Sequence, residues 1–274
     1  MTFGGMLRKS GGVRAAASVG GALAAFAGGI YAGQAYKWYW REDDGDNSSV
    51  STVGTYDGIA EGYDDKIGFT EWFSGISRMR RRLIRDNAKG RTLEVAAGTS
   101  RNAEHYTRNV SSLVFVDASR AMLCECKAKV SRVARDKTWK GDDSEGGLDK
   151  NMTVSFVQRD ARDLSCFASS SFDTVVQTFG LCSIDDPLAA LKEMKRVTRP
   201  GGKILLLEHG RSSDRPWLSK FLDRKAKSHY ARWGCTWNRD VEKMLDDAGF
   251  TPRQVSLHHL GTTYEVVFVK PDAD

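Results

Sequence analysis

Thr92-Leu93-Glu94-Val95-Ala96-Ala97-Gly98-Thr99-Ser100-Arg101-Asn102 is the stretch whose reading decides how this chain folds. Leu93, Val95 and Ala96 surround an acidic Glu94, the small residues Ala97 to Ser100 follow, and Arg101 and Asn102 are expected to open a helix. A strand that stops at a small-residue turn and restarts as a helix is the first βα corner of an open α/β sheet, where ligands bind beyond the carboxyl ends of the strands. Small residues there let backbone N–H groups come close to a ligand. A dinucleotide fingerprint requires G-x-G-x-x-G, and this turn carries Gly98 alone, so NAD binding is not expected.

Downstream, Ser112 to Asp117 reads as a second strand ending in an acid 23 residues beyond Glu94, a position suited to accept hydrogen bonds from ribose hydroxyls. Ala118 to Arg135 reads as a helix and Asp136 to Asn151 as a charged external loop. Met152 to Gln158 is a third strand, followed by Arg159-Asp160-Ala161-Arg162-Asp163-Leu164. A fourth strand starts in Ser171-Phe172-Asp173-Thr174-Val175-Val176, passes Thr178 and runs on through Phe179 to Ser183. Asp186 to Val197 places Leu188, Leu191, Met194 and Val197 on one helical face, and Arg199 to Lys203 turns it into strand Ile204–Glu208. Asp240 to Ala248 reads as a last helix, with two closing strands at Phe250–Leu257 and Thr262–Val269.

These blocks carry a family resemblance. The opening stretch resembles the first motif, E/D-x-G-x-G-x-G, of class I S-adenosylmethionine (SAM) methyltransferases, with Ala96 and Ser100 standing where that family has its outer glycines. The run Tyr56 to Ile67, YDGIAEGYDDKI, resembles the segment before the first strand in the ubiquinone/menaquinone C-methyltransferase group, where it closes over the cofactor. Asp160 to Leu164 resembles the family's D-A-x-x-L turn, SFDTVV its S-F-D-x-V strand entry, and LKEMKRVTRPGGKILLLEH its E-x-x-R-V-L-R-P-G-G block. The resemblance implies a Rossmann-like α/β fold, a mostly parallel seven-stranded sheet in the order 3-2-1-4-5-7-6 with helices on both faces. It also implies SAM as cofactor, held by Glu94, Ala96, Gly98, Thr99, Ser100, Asn102, Asp117, Ala118, Asp160, Ala161 and Thr178. Within that set, Asp160 would face the exocyclic amine of adenine.

A sulfonium donor carries its own leaving group and positive charge, so such an enzyme mainly aligns nucleophile, methyl and sulfur and excludes water. A general base is needed only for an acceptor that is protonated at working pH. His209, just after the fifth strand, and Tyr63 are the candidates, with His229 behind them; a structural histidine is the competing reading. The five cysteines, Cys124, Cys126, Cys166, Cys182 and Cys235, are an odd number without paired CxxC spacing, so neither a disulfide framework nor a metal site is expected. Cys182 reads as a packing thiol at a strand end rather than a nucleophile. His258 and His259, adjacent on a strand, point to opposite faces and cannot chelate one ion together.

The net charge of +6 is concentrated at the start of the chain. Residues 1–41 hold Arg8, Lys9, Arg14, Lys37 and Arg41 and no acid, leaving 36 basic against 35 acidic residues in the remainder, so nucleic acid is not an expected partner. Residues 1–14 have the composition of a mitochondrial targeting segment. Ala15 to Tyr36 is uncharged, about 33 Å long as a helix. Gly21, Ala25, Gly29 and Gly33 recur at every fourth position, and Tyr36, Trp38, Tyr39 and Trp40 form an interfacial belt. Residues 15–41 are therefore expected to form a transmembrane anchor, 42–55 a linker and 56–274 the catalytic domain, a single-pass protein of the mitochondrial inner membrane; the competing reading is a soluble leader removed whole.

Tyr56 to Ile84 reads as a helical preface that offers Tyr63, Ile67, Phe69, Trp72, Phe73 and Ile76 for burial, and Arg78, Arg80, Arg81, Arg82 and Arg85 read as a solvated helix face rather than an RNA patch. Arg211 to Asn238 reads as a basic amphipathic helix, an acceptor lid resting either on lipid or on the domain core. The whole arrangement resembles a mitochondrial inner-membrane methyltransferase-like group, and the Leu181-Cys182-Ser183-Ile184 and Gly234-Cys235 segments resemble membrane-bound thiol methyltransferases. Neither resemblance fixes the small-molecule acceptor; a lid resting on lipid would admit a lipophilic one, such as a quinone-like ring or a hydrophobic thiol, from the bilayer. The rival class is a non-catalytic SAM-fold assembly factor, supported by the two replaced loop glycines, Ala96 and Ser100. An RNA methyltransferase would need basic residues gathered around the cofactor mouth.

Overall fold

The computed structural model describes residues 51–135 and 152–272. The expected targeting segment, transmembrane anchor and charged loop, and all of the linker before residue 51, lie outside the described residues. Among the described residues no helix is long and apolar enough to cross a membrane. Three helices lead in, α1 (Thr52–Ile59), α2 (Tyr63–Ser74) and α3 (Ile76–Asn87). The seven strands β1 (Gly90–Val95), β2 (Val110–Asp117), β3 (Thr153–Gln158), β4 (Phe172–Thr178), β5 (Thr198–His209), β6 (Arg253–His258) and β7 (Thr263–Val269) form one sheet in the order β3-β2-β1-β4-β5-β7-β6. β7 runs antiparallel to both of its neighbours and the other pairings are parallel.

Period-two alternation explains how the sheet is covered on both faces. Leu93, Val95, Val175, Ile204 and Leu206 point into one core, shared with Leu191 and Met194 of α5 (Pro187–Val197) and Leu245 of α7 (Val241–Asp247). Val176, Leu205 and Leu207 point into the other, which contains Leu83 and Ile84 of α3 and Cys126 and Val130 of α4 (Arg120–Arg135). α5 has the local signals for its bounds: the Asp186 carboxylate accepts from the Ala189 N–H at 2.9 Å, Pro187 occupies the first turn, and Lys195 and Arg196 sit in the last. The remaining helix, α6 (Pro216–Trp233), lies in the insertion between β5 and α7.

Three expectations are corrected. Arg101 and Asn102 do not open an α-helix; only a short 3-10 turn, Ala103–His105, follows. The eight residues of β2 span about 26 Å, a return that would need about 17 helical residues. Ala96 to Asn109 must supply both the glycine turn and that return, too few residues for a full α-helix, and the chain runs back through turns and the 3-10 segment instead. The linker also ends earlier than expected, because the Ser51 hydroxyl caps α1 by accepting from the Gly54 N–H at 3.1 Å.

The third correction concerns the preface. Phe69, Trp72 and Phe73 are exposed (49%, 70% and 78%), whereas Arg80, read as solvated, is only 5% exposed. Ion pairs fix the rotation of α2. Glu71 faces inward to meet Arg80 and Arg101, Asp64 meets Arg101 and Lys129, and the aromatic side is left to solvent.

Candidate active site

A cleft of about 300 Å³ opens at the carboxyl ends of β1, β2 and β4. Its floor is the turn after β1. Ala96, Gly98 and Ser100 all take positive φ, at 50°, 54° and 56°. The left-handed backbone that glycine favours is thus kept at two positions where the chain has Ala and Ser. That conformation costs an L-residue roughly 1–2 kcal/mol, against about 0.5–1 kcal/mol for the extra chain entropy of glycine. Ala96→Gly and Ser100→Gly are therefore each expected to raise stability by about 0.5–1 kcal/mol, read as a higher urea midpoint. Lower stability in both would show that the methyl and hydroxymethyl groups do more than fill space.

Asp117 at the end of β2 lines the cleft. Its two carboxylate oxygens each accept one backbone N–H, from Gly98 at 2.8 Å and Ser119 at 2.8 Å. A carboxylate has about four acceptor sites, so each oxygen keeps capacity for one more donor. Burial raises the Asp117 pKa, and the bonds from Gly98 and Ser119 oppose the rise. Ala97, Thr99, Ala118 and Ala161 line the same cleft, as does Thr178. Asp160 also lines it, bound to Arg162, whose guanidinium holds its carboxyl below the usual range.

Glu94, Asn102 and Ser100 are not in the lining but beneath the floor, where each is almost wholly buried. Glu94 accepts from Tyr106 Oη at 2.5 Å and from Asn102 Nδ2 at 3.2 Å. Asn102 also donates to Thr178 Oγ1 at 3.0 Å and accepts from Arg80 Nη1 at 3.1 Å. This network ties the glycine turn, the preface and β4 into one support.

Burial pushes the Glu94 pKa up to about 7, with Tyr106, Arg80 and Asn102 acting against it. A carboxyl whose pKa is raised on folding binds more protons in the native state, so its contribution to stability falls as pH rises from about 4.5 to about 7 and is flat above. The stability difference between the native chain and Glu94→Gln is expected to change by about 3 kcal/mol over that window, measured by urea unfolding at successive pH values. A pH-independent difference would mean that the carboxyl is not perturbed.

The upper wall comes from the preface. Tyr56 and Tyr63 both line the cleft, and their rings meet edge-on at 6.4 Å. Burial raises both phenol pKa values, so both hydroxyls keep their protons at neutral pH. α1 is pinned over the cleft by Asp57, which accepts from Ser119 Oγ and from the Ala121 N–H, by the Tyr56–Ser183 hydroxyl pair at 2.6 Å, and by Thr52–Tyr230 at 3.2 Å. Glu71, Arg80, Arg101 and Tyr56 are lining residues that sequence reasoning did not place in the site; the Y-D-G-I segment was the available signal for Tyr56.

His209 does not line the cleft. It sits behind the wall, its ring edge-on to Phe179 at 5.4 Å and its Nε2 3.0 Å from Cys235 Sγ. His229 is stacked on Trp237 at 3.9 Å, and burial drops its pKa to about 4. His258 and His259 bind different partners, Glu265 and Thr263 with Ser74. The expectation that the cysteines gather no metal-binding set is corrected: Sγ of Cys182, Sγ of Cys235 and a ring nitrogen of His209 lie within 4.8 Å of one another. Residues 182, 209 and 235 are far apart in sequence and only the fold joins them, so spacing gave no signal.

The cleft lining holds Glu71, Asp117, Asp160 and Asp185 against Arg80, Arg101, Arg159 and Arg162, a balance without the basic funnel that nucleic acid requires. A methyltransferase-domain profile matches residues 93–206. Over 230 residues the chain is 31% identical to the mitochondrial methyltransferase OMS1 of Saccharomyces cerevisiae, covering 79% of this chain and 45% of that protein, so it spans about half of that relative's length. A SAM-dependent methyltransferase from Thermotoga maritima shares the fold with a TM-score of 0.55 at 16% identity, over 80% of this chain and 99% of that one. The ubiquinone/menaquinone biosynthesis C-methyltransferase UbiE of Pseudomonas paraeruginosa is 31% identical over 206 residues, with 73% of each chain covered.

The chain belongs to the class I SAM-dependent methyltransferases. The residues present fit the methyl donor of that family, since Asp117 keeps acceptor capacity on both oxygens at the cleft and the β1 turn keeps the glycine-type backbone. Bound there, SAM supplies an electrophilic methyl group on a positively charged sulfur. The β1 turn, Asp117, Tyr56, Tyr63 and Phe179 all line the cleft, the three rings adding apolar surface to it.

Proposed function

We propose that this methyltransferase transfers a methyl group from SAM to a small lipophilic acceptor taken from the surface of the mitochondrial inner membrane. The observation that carries the reading is the two-sidedness of α2. One side supplies Tyr63 and Glu71 to the cleft, and the other displays Phe69, Trp72 and Phe73 as a packed but exposed aromatic cluster, with centroids 6.0 and 6.2 Å apart. Aromatic side chains of this kind favour the boundary between lipid and water. The uncharged run Ala15–Tyr36 with its aromatic belt would hold the domain there, and the naming of one relative as mitochondrial and another for ubiquinone/menaquinone biosynthesis supports the same setting. Glu94, Ser100 and Asn102 support the cofactor from below in this reading, with Asp117 and Asp160 at its ribose and adenine.

α6 contributes less to the membrane face than its sequence suggests. Ser219 and Leu222 are buried against the domain, while Trp217 and Tyr230 are exposed. The reading is tested with the compact unit Asp46–Asp274. It should bind anionic liposomes and, given SAM and a demethylated quinone precursor or a hydrophobic thiol, release S-adenosylhomocysteine. Phe69→Ser, Trp72→Ser, Phe73→Ser together should lose liposome binding while keeping SAM affinity. Liposome binding unchanged in that variant ends the membrane reading. Absence of SAM binding in calorimetry would favour the assembly-factor class, whose sequence support is weakened by the left-handed backbone at Ala96 and Ser100.

A further inference from the structure

We propose that Cys182, His209 and Cys235 form a three-ligand site for a zinc-type divalent ion, with an open fourth position on the side of the methyl-transfer cleft. The three donors come from separate parts of the fold: the turn after β4, the last residue of β5 and the turn that ends α6. Their convergence is fixed by the backbone rather than by side-chain rotamers alone. The Thr236 N–H donates to the Cys182 carbonyl at 2.8 Å, and the Gly180 and Leu181 N–H groups donate to Glu208 Oε1 at 3.0 and 3.2 Å, which pins the Cys182 turn beside the end of β5. Gly234, just before Cys235, ends α6 in a left-handed conformation that glycine tolerates best.

The donor set has the chemistry of such an ion. Two thiolates and an imidazole match a borderline-soft cation, and the two negative charges neutralise its double charge, so the filled site carries no net charge into a buried position. With bonds of about 2.3 Å to sulfur and about 2.0–2.1 Å to nitrogen, tetrahedral donors stand about 3.5–3.8 Å apart, and the three atoms here already lie within 4.8 Å of one another. Small side-chain rotations suffice. A supporting hydrogen-bond relay is also in place: Ser183 Oγ is 3.4 Å from Cys182 Sγ and 2.6 Å from Tyr56 Oη. Ser183 can donate to the thiolate while Tyr56 donates to Ser183, the kind of outer partner that orients metal ligands.

Three protein ligands leave a tetrahedral ion one position short, and the cleft side, where Ser183 and Tyr56 stand, is where a fourth ligand would enter. Tyr56, Ser183, Phe179 and Gly180 line the cleft, and Cys182 and His209 pack directly behind them. An ion there would join the β-sheet to α6 and present a Lewis-acidic position to whatever occupies the acceptor end of the cleft. The inference concerns the ion and its ligands and does not depend on the acceptor being lipophilic.

The test uses the full chain, reduced, stripped of metal with a chelator and titrated with Co²⁺ and then Zn²⁺. One equivalent of Co²⁺ should give thiolate-to-metal charge-transfer absorption and the intense visible bands of a four-coordinate ion, and Zn²⁺ should erase both. Cys182→Ser and Cys235→Ser should each lose the charge-transfer intensity, whereas Cys124→Ser and Cys166→Ser, both at exposed positions, should leave it unchanged. Should the cysteine variants fail to fold, protection of two thiols of the native chain by one equivalent of Zn²⁺, read with a thiol reagent in mild denaturant that lets it reach the buried Cys182 and Cys235, gives the same answer. No tetrahedral cobalt spectrum and no Zn²⁺ protection in the reduced native chain overturn the proposal, as does a spectrum that survives the double substitution Cys182→Ser, Cys235→Ser.

Discussion

Replacing Asp117 by alanine is expected to abolish measurable SAM binding while leaving the chain folded. The carboxylate would accept from two ribose hydroxyls, and hydrogen bonds to a charged group contribute about 1.5–3 kcal/mol each, so the combined loss is at least two orders of magnitude in affinity. It also holds Gly98 and Ser119 in place through their N–H groups, which adds disorder of the glycine turn to the loss. Asp117→Asn should be little better. One of its positions would place an NH₂ donor against the N–H of Gly98 or of Ser119, donor facing donor. Because the hydroxyl donors favour the ionised carboxylate and burial has raised its pKa, affinity should also fall as the solution is acidified through that pKa. Calorimetry on the folded variants checks all three statements, and native-like affinity for Asp117→Ala would remove the second strand from the cofactor site.

The second large effect is expected at Arg80. Its guanidinium meets Glu71 Oε1 at 2.8 Å, Asn102 Oδ1 at 3.1 Å and Thr178 Oγ1 at 2.5 Å, almost wholly out of contact with solvent. Arg80→Ala leaves Glu71 buried with Arg101 as its remaining counter-charge and strips Asn102 and Thr178 of a donor. Breaking a buried pair in this way costs about 3–5 kcal/mol. Arg80→Lys keeps the charge but not the planar fork, and should recover only part of the loss.

A pH test separates the electrostatic cause from lost packing. Burial raises the Glu71 carboxyl, but Arg80 and Arg101 outweigh it and hold the pKa below the ordinary value. A depressed carboxyl contributes stability above its unfolded pKa and loses it as pH falls through the folded one. In Arg80→Ala that contribution shrinks or reverses, so the gap between variant and native chain should narrow on acidification. A gap that is below about 0.5 kcal/mol at neutral pH, or that does not change with pH, would show that the pair is not under electrostatic load.

Much of this molecule was legible along the chain because its signals are local. The alternation around Glu94, the acid that ends β2 and the amphipathic run of α5 each depend on a few neighbouring residues, whereas Arg199 to Lys203, read as a turn, lies inside β5 where its pairing with β4 shifts register. Together with the family resemblance they gave the seven-stranded order and the residues around the β1 turn. What the chain could not show was which way an amphipathic element turns when both of its sides are plausible. α2 has aromatic residues on one side and acids on the other, and burial of the aromatics was the natural reading.

The sequence by itself determined most of the strands and the small-residue turn after β1, because strand period and turn chemistry act within a short reach of the backbone, and the order of the strands followed from the family resemblance. Only the tertiary structure decided that Glu71, Asp64 and Arg80 turn inward, that Phe69, Trp72 and Phe73 face solvent, and that Cys182, His209 and Cys235 meet. Ion pairs between α2, α3, α4 and the β1 turn set the first two, and the backbone N–H bonds from Thr236 to the Cys182 carbonyl and from Gly180 and Leu181 to Glu208 bring the third about. These contacts join residues from 9 to 65 positions apart in the chain, Glu71 with Arg80 and Asp64 with Lys129 being the two ends of the range among the ion pairs, and no local propensity encodes a partner at such distances.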